Sequence, residues 1–270
     1  MGLRVVRIDP HLRATYQARV SALERLATYP LGQDRFRIDH GADYFAFFDR
    51  LGEPRYYAVL EGEEVLAVGA GVLRTIQPQR KGPLLRAWYV CDLKVHPAHR
   101  GRRIPLLLMR RAFFWNYVRC RRGYGISMNP GDGSPNRVLR LFGHWRWTPA
   151  SLAGTLLLWS LDADQARRAT PLVRERHGPL SWLSLRGVKD IVLESTGAPM
   201  PLLHGQPGEP QPAGALPEPQ PGSVHMLCAM RGDPLALALE RAGLAPGATA
   251  SVIQHRMGGV DWRFVRTSDI

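Results

Sequence analysis

The segment from Tyr89 to Met109 constrains the fold more than any other, because an apolar strand, a short basic turn and an apolar helix follow one another directly. We expect the strand to end at Val95 and the helix to begin at Ile104. The first N–H groups of a helix lack an intrahelical partner, and the helix dipole adds partial positive charge. A glycine in the turn lets the backbone approach phosphate oxygens closely. The segment therefore predicts either an anion site, to which Arg100, Arg102 and Arg103 add full positive charges, or merely a helix that starts with a basic turn.

The hydrophobic pattern up to residue 161 predicts a strand, two helices, three strands, a helix, a strand, a helix and a final strand. The predicted strands are 3–8, 55–60, 64–76, 84–95, 125–129 and 148–161, and the predicted helices are 9–26, 42–51, 104–120 and 135–142. Residues 55–76 form a predicted hairpin, and the strand–helix–strand succession after it implies a locally parallel pair. The expected fold class is α/β (α+β), with a mixed, mostly antiparallel sheet flanked by helices.

The C-terminal part contains a proline- and glycine-rich stretch at 205–222, which predicts a stiff, disordered linker or a long loop. The pattern around it predicts strands at 188–193, 200–203, 224–230, 248–257 and 262–267 and a helix at 233–242. We therefore expect a domain at 1–162 and a small α+β appendage at 163–270, which includes the stretch at 205–222.

The net charge of +13 comes almost wholly from arginine, since Lys81, Lys94 and Lys189 are the only lysines. GC-rich coding accounts for part of this bias. The functional interpretation is an anionic partner: a phosphate-bearing coenzyme, a nucleic acid or a membrane surface. A phosphate-bearing small molecule ranks first because arginines cluster at the start of the predicted helix. No helix-turn-helix, zinc-finger or aromatic RNA-binding pattern is present, so we do not expect a nucleic acid.

Other features of the sequence indicate a cytoplasmic protein. The longest apolar run, Leu152–Leu161, falls well short of the roughly 20 residues that span a bilayer, and the first residues contain no apolar signal core. Cys91, Cys120 and Cys228 share no disulfide or metal spacing, which indicates reduced thiols. The histidines form no HxxxH or HExxH pair, so no metal site is expected.

The strand–turn–helix segment resembles the acyl-CoA-binding motif Q/R-x-x-G-x-G/A of the GNAT superfamily of N-acetyltransferases. Arg100 matches its first position, residues 92–97 resemble the preceding strand, and Leu107-Leu108 resembles the helix. The element order from 3 to 161 also matches, so the resemblance implies a GNAT-like domain that takes acetyl-CoA or another acyl-CoA as co-substrate. It further implies a β-bulge on the strand that opens a cleft. The implied coenzyme-binding residues are Leu93, Lys94, Val95, Arg100, Gly101, Arg102, Arg103, Ile104 and Asn136.

Two residues depart from the family motif. Arg103 stands where the motif has its first glycine, and Pro105 stands where it has a second small residue. Pro105 has no N–H to donate, which removes one phosphate contact. Arg103 could replace an amide contact with a charge-assisted one. The sequence leaves both a working and a degenerate coenzyme site open.

The resemblance also suggests catalytic residues, each with an alternative. Asp92 is the candidate general base, since transfer from a thioester needs a neutral amine, but it could instead pair with Lys94. Asn136 resembles an asparagine that contacts the coenzyme, and it could equally cap a helix. The family's tyrosine acid is missing, so His144 is the candidate acid, with Tyr124 as a weaker substitute and a surface or packing role for His144 as the alternative.

Polar residues before the second helix, Asp39, His40 and Asp43, could line an acceptor pocket or could be the cap of that helix. The sequence as a whole predicts an acyl-CoA-dependent N-acyltransferase that transfers an acetyl group to an amine of a small molecule or a protein. The alternative is a catalytically inactive GNAT-like module that binds a ligand or partner. The acceptor, the acyl chain length and the oligomeric state, with a dimer as one option, stay open.

Overall fold

The computed structural model describes residues 2–31, 34–78, 82–131, 134, 136–143 and 149–270. These residues form thirteen strands and six α-helices. The strands are β1 (Leu3–Ile8), β2 (Thr28–Leu31), β3 (Asp34–Asp39), β4 (Glu53–Glu61), β5 (Glu64–Ile76), β6 (Leu85–Val95), β7 (Gly123–Met128), β8 (Ser151–Leu161), β9 (Leu180–Leu183), β10 (Asp190–Leu193), β11 (Leu202–Pro207), β12 (Val224–Met230) and β13 (Ala248–His255). The helices are α1 (Arg13–Arg25), α2 (Ala46–Leu51), α3 (Ile104–Arg119), α4 (Arg137–Gly143), α5 (Ala163–His177) and α6 (Pro234–Arg241). No helix among the described residues is both long and apolar enough to cross a membrane.

The chain divides into two compact units built from interleaved segments. The first consists of Met1–Thr75, Arg86–Gly123 and Gly187–Met200, and the second consists of Ile76–Leu85, Tyr124–Arg186 and Pro201–Ile270. The predicted boundary after residue 162 falls inside the second unit, where β8 pairs with both β12 and β13. The domain assignment itself stays a prediction.

The main strands of the first unit follow the order β1-β4-β5-β6, with β1–β4 and β4–β5 antiparallel. The predicted hairpin is confirmed. Strand β4 ends at Glu61 and β5 begins at Glu64, and Gly62 between them has a φ of +60°, which suits a two-residue hairpin turn. The predicted helices before and after these strands are present as α1, α2 and α3, so the expected fold class of a mostly antiparallel sheet flanked by helices is confirmed.

The two faces of β6 contact different partners, because successive side chains of a strand point to opposite faces. Leu93 and Val95 pack in one apolar cluster with Ile104 and Leu108 of α3. Lys94 lies on the opposite face, where it contacts Glu24 of α1. Strand β6 is thus held between α3 on one face and α1 on the other.

A small sheet in the order β10-β3-β2 was not predicted for residues 28–39. Strand β3 pairs antiparallel with β2 and with β10, and the rings of Tyr29 and Phe36 stack at 5.3 Å. Polar residues dominate β3, and β10 comes from a distant part of the chain, so no local pattern marked this sheet. The strand predicted at 188–193 is confirmed as β10.

The second unit contains strands in the order β7-β13-β8-β12-β11-β9, of which β11 and β12 are parallel. Its core packs Trp159, Trp182 and Leu227 against residues of α5 and α6. Helix α5 was not predicted, although Asp162 and Gln165 form a capping box at its start. That D-x-x-Q pattern was a usable signal in the sequence.

For residues 205–222 the sequence left a disordered linker and a long loop open. Strand β11 extends to Pro207 and a long loop follows, in which Leu216 exchanges two 2.8 Å backbone hydrogen bonds with Trp182, so the long loop is the alternative present. The strand predicted at 262–267 is wrong. A 3₁₀ helix covers Trp262–Phe264, because the Asp261 carboxylate accepts from the N–H of Arg263 and caps this turn.

The tight contact at Gly205 gives a test of this core. A Cβ added at Gly205 would lie 2.4 Å from Cδ2 of buried Leu227 and 3.4 Å from the Trp182 ring. We expect Gly205→Ala to lower the free energy of unfolding by about 1–3 kcal/mol, as overpacking does. Gly247→Ala is the control, because no atom lies within 4 Å of a Cβ there. Equal urea midpoints for the two variants would contradict the packing described.

Candidate functional site

Strand β6 carries an irregular residue at its functional end. Asp92 has a φ of +55°, in the left-handed region that few non-glycine residues adopt. A left-handed residue within a strand is the local feature expected of a bulge. Asp92 and Lys94 share the face of β6 that is turned towards α1.

The Lys94 ammonium lies between two carboxylates in the core of the first unit. Its Nζ forms an ion pair with Asp92 Oδ1 and lies 3.0 Å from Glu24 Oε1. The exposed fractions of the three side chains are 3% for Lys94, 5% for Asp92 and 4% for Glu24. Charges this deeply buried are tolerated only when each is paired and hydrogen-bonded.

Three further side chains complete this buried network. His40 Nδ1 lies 2.6 Å from Glu24 Oε1, and the His40 N–H donates to Glu24 Oε2 at 3.2 Å. The Tyr44 hydroxyl donates to Asp92 Oδ2 at 2.7 Å, and the Tyr56 hydroxyl donates to the same oxygen. Two carboxylates therefore face one ammonium, one imidazole and two phenols. We call these six side chains the buried network: Glu24, His40, Tyr44, Tyr56, Asp92 and Lys94.

The pKa shifts follow from this arrangement. Burial raises the pKa of Asp92, but the charges of Lys94 and His40 and the hydrogen bonds from Lys94 and Tyr56 outweigh it, so the pKa is lowered. Burial lowers the pKa of Lys94, but Asp92 and Glu24 outweigh it, so the pKa is raised. Burial and the Asp92 charge raise the pKa of Tyr44 and Tyr56. At neutral pH the carboxylate and the ammonium are charged and both phenols keep their protons.

The sequence left two roles open for Asp92, general base or partner of Lys94. The structure shows the ion pair with Lys94. Lys94 and the two tyrosines occupy both carboxylate oxygens, and the lowered pKa weakens Asp92 as a proton acceptor. The role of Asp92 as base stays a prediction.

Lys189 is a second lysine near this network. Its Nζ lies 4.4 Å from the centroid of the Phe47 ring. Burial and the nearby charge of Lys94 lower the pKa of Lys189 to about 8. A fraction of this amine is therefore neutral at physiological pH, unlike the amine of Lys94.

The turn after β6 presents unused backbone donors. Gly101 and Arg103 have φ values of +85° and +56°, and α3 begins at Ile104. The N–H groups of residues 101–104 donate to no described residue, whereas the Leu106 N–H donates to the Arg103 carbonyl at 3.0 Å. Adjacent free amides at a helix N-terminus are suited to bind an anion.

The arginines of this turn differ in their partners. Arg102 lies 3.1 Å from Glu61 Oε1 and 2.6 Å from His99 Nδ1, and its hydrogen bond lowers the pKa of Glu61. Arg100 and Arg103 are exposed and contact no carboxylate of a described residue. They are the charges available to an anion at this turn.

The two departures from the motif have different structural effects. Arg103 adopts the left-handed conformation that a glycine takes without strain. Pro105 lies in the first turn of α3, where it fits sterically but supplies no N–H. The remaining amides and the two arginines form an arrangement suited to an anion.

Asn136 belongs to the second unit and is a helix cap. Its Oδ1 accepts from the N–H groups of Val138 and Leu139 at 3.0 and 3.1 Å, and its Nδ2 donates to the carbonyls of Ser127 and Met128. The helix cap, one of the two roles that the sequence left open for Asn136, is thus present. A contact of Asn136 with the coenzyme stays a prediction.

The two candidate acids are in different situations. His144 lies outside the described residues, so its role as acid stays a prediction. Tyr124 is buried, with its ring 5.8 Å from Trp262 and 5.5 Å from Phe264 between centroids. Its packing among these rings gives it a structural role in the second unit.

The polar residues before α2 have separate roles. Asp43 Oδ1 accepts from the Phe45 N–H, in the turn that leads into α2. Asp39 Oδ1 accepts from the Gly41 N–H, and His40 is part of the buried network. Sequence reasoning missed Glu24, although its spacing of four from Val20 placed a charge on the apolar face of α1.

Glu64, His96 and His99 place one ligand-type atom each within 4.8 Å of one another. The Nδ1 of His96 accepts from the Ala98 N–H, and the Nδ1 of His99 lies against Arg102. Both Nδ1 atoms are therefore engaged in contacts within the protein.

Solved structures resemble the chain in fold. A tandem GNAT protein from the clavulanic acid biosynthesis pathway is 12% identical, over 94% of this chain and 98% of that chain, with a TM-score of 0.48. A GCN5-related N-acetyltransferase from Kribbella flavida is 13% identical over 94% and 71% of the two chains, with a TM-score of 0.44. The Arabidopsis thaliana protein NAA60, in complex with acetyl-CoA, is 15% identical over 58% and 88%, with a TM-score of 0.42. No protein-family profile and no curated protein sequence matches the chain.

The buried network gives a test of stability. Lys94→Met leaves Asp92 and Glu24 buried without their ammonium, so we expect the free energy of unfolding at pH 7 to fall by about 3–5 kcal/mol in urea titrations. Arg86→Met is the control, because Arg86 and its partner Glu53 are largely exposed and such pairs contribute about 1 kcal/mol or less.

The same variant has an expected pH dependence. The pKa of Asp92 is lower in the folded than in the unfolded chain, so its contribution to stability is present above about pH 4 and lost as the pH falls through the folded value. Without Lys94, Asp92 takes up a proton more readily. The difference between wild type and Lys94→Met should shrink from pH 7 to pH 4, and a constant difference would count against the ion pair.

Proposed function

We propose that the chain is an acyl-CoA-dependent N-acyltransferase, which transfers an acetyl or another acyl group to an amine of a small molecule or a protein. The observation that supports this most directly is the run of amides at 101–104, which donate to no described residue and lie beside Arg100 and Arg103 at the N-terminus of α3. A diphosphate is the kind of group that such a turn binds.

The chain's own residues would hold the co-substrate and position the end of β6. The amides of the turn would bind the diphosphate, and Arg100 and Arg103 would add charge-assisted contacts. Leu93, Lys94 and Val95 would offer strand amides and carbonyls to the pantetheine arm, while the buried network fixes this strand. When bound, the acyl-CoA supplies an activated acyl group as a thioester.

Transfer to an amine also requires a base that removes its proton. Asp92 is the only catalytic candidate among the described residues that lies on β6, and its lowered pKa weakens it as a base. This observation favours a second candidate function, a binding module that holds an acyl-CoA without turnover. The cytoplasmic location expected from the sequence stays a prediction.

Coenzyme binding can be tested by thermal unfolding with acetyl-CoA and longer acyl-CoAs. A ligand at about 100 times its dissociation constant adds roughly 2.7 kcal/mol of stability, so the midpoint of the wild type should rise. The rise should be lost in Arg100→Ala/Arg103→Ala and kept in Arg86→Ala, which removes an exposed arginine near the opposite end of β6. If no acyl-CoA shifts the wild type, the coenzyme site is refuted.

Turnover separates the two candidate functions. Release of free coenzyme A thiol in the presence of a panel of amines would support the transferase. Binding without thiol release for any amine in the panel would instead support the binding module.

The left-handed turn residues give a matched pair of substitutions. A left-handed conformation costs a non-glycine residue roughly 1–2 kcal/mol, partly offset by the flexibility of a glycine in the unfolded chain. We therefore expect Arg103→Gly to raise the free energy of unfolding by up to about 1 kcal/mol. Gly101→Ala should lower it by about 1 kcal/mol, since a Cβ there meets no atom within 4 Å and only the backbone is strained. Chemical denaturation of both variants checks the signs, and the same sign for both would contradict this turn geometry.

A further inference from the structure

The first unit contains a pocket of about 220 Å³ whose lining does not include the turn at 100–104. Its walls come from the ends of β1 and α3, the starts of α1, β4 and β6, and α2 with the residue before it. Its apolar lining is formed by buried side chains, namely Ile8, Phe45, Phe48, Tyr56 and Trp88. Its charged lining consists of four arginines, Arg7, Arg13, Arg55 and Arg119, and two carboxylates, Asp9 and Glu53. We call this cavity the arginine pocket.

Three of the four arginines are already neutralised by carboxylates. Arg7 lies 2.7 Å from Asp9, and Arg119 forms an ion pair with Glu53. Arg13 makes two hydrogen bonds to the oxygens of Asp49, at 2.6 and 2.8 Å. These pairs complete their own charge balance and need no ligand.

Arg55 is different, because it contacts no carboxylate of a described residue. Its Nη1 donates to Asn116 Oδ1 at 2.9 Å, and its guanidinium carbon lies 5.5 Å from the centroid of the Trp88 ring. The Trp88 indole N–H donates to the Asn116 carbonyl at 2.8 Å, which fixes the ring. A half-buried guanidinium is thus held against an aromatic face with donors left over.

The chemistry of this lining selects a class of ligand. A planar guanidinium binds a carboxylate through two parallel hydrogen bonds, and this contact is stronger where water is partly excluded. The buried aromatic and aliphatic side chains of the lining favour an apolar body rather than a second charge. Small-molecule sites commonly combine such an apolar lining with a few fixed polar groups.

We propose that the arginine pocket binds a small molecule with a carboxylate on an aromatic or aliphatic body, with the carboxylate on Arg55 and the body against Trp88 and the buried apolar side chains. This site goes beyond the proposed acyl transfer, because it requires neither the turn at 100–104 nor an acyl-CoA. Its test is binding, so it can succeed or fail independently of coenzyme binding.

Isothermal titration of the full chain with benzoate, phenylacetate, benzamide and inorganic phosphate tests the proposal. We expect benzoate or phenylacetate to bind, and benzamide, the neutral counterpart of benzoate, to bind about tenfold more weakly or worse. Phosphate should bind more weakly than the carboxylates because it has no apolar body. No binding of either carboxylate, or equal binding of benzamide or phosphate, would overturn the proposal.

Variants locate the site. Arg55→Met should weaken carboxylate binding about tenfold or more, while Arg37→Met, a partly exposed arginine on β3 outside the pocket, should leave it unchanged. Arg55→Lys keeps the charge without the planar fork and should bind with intermediate affinity. Unchanged carboxylate affinity in Arg55→Met would refute the site. If that variant does not fold, the affinity of Arg55→Lys and the comparison of benzoate with benzamide test the proposal instead.

Discussion

The first unit depends on the ion pair of Lys94 with Asp92 and Glu24. Burying these charges costs several kcal/mol per ion unless every partner is in place, so α1, β4, β6 and the segment before α2 are tied to one arrangement. Glu24, Tyr56 and Lys94 come from three different elements, and a slip of any of them would leave a charge or a phenol unpaired. The hypothesis for this protein is that the network contributes more to a unique arrangement than to net stability.

The network also governs the turn that follows it. Lys94 anchors one face of β6, while Leu93 and Val95 anchor the other against α3. These contacts fix the end of β6 and the start of α3. The short turn between them is therefore restricted to few conformations. Within this short turn Gly101 and Arg103 adopt left-handed conformations, and the N–H groups of residues 101–104 donate to no described residue.

Features that depend on neighbours in sequence were predictable, and features that depend on distant residues were not. The hairpin of β4 and β5, helix α3 and the expectation of open amides at its start followed from periodicity and turn chemistry. The pairing of Asp92 with Lys94 was one of the alternatives that the sequence left open, and residues two apart on a strand do share a face. Glu24 and Tyr44 were not linked to it, since they are distant in sequence from Asp92. The sheet of β2, β3 and β10 was missed for the same reason.

Because Lys94 is buried, covalent labelling of its amine reports whether the first unit is folded. Its ammonium is held charged and shielded, so an amine-reactive reagent meets no nucleophile there while the first unit is folded. Lys189, with a pKa lowered to about 8, presents a more reactive amine in the same unit. Because the chain contains only three lysines, the extent of covalent labelling at Lys94 can be compared directly with that at Lys189, and a rise at Lys94 alone reports opening of the buried network.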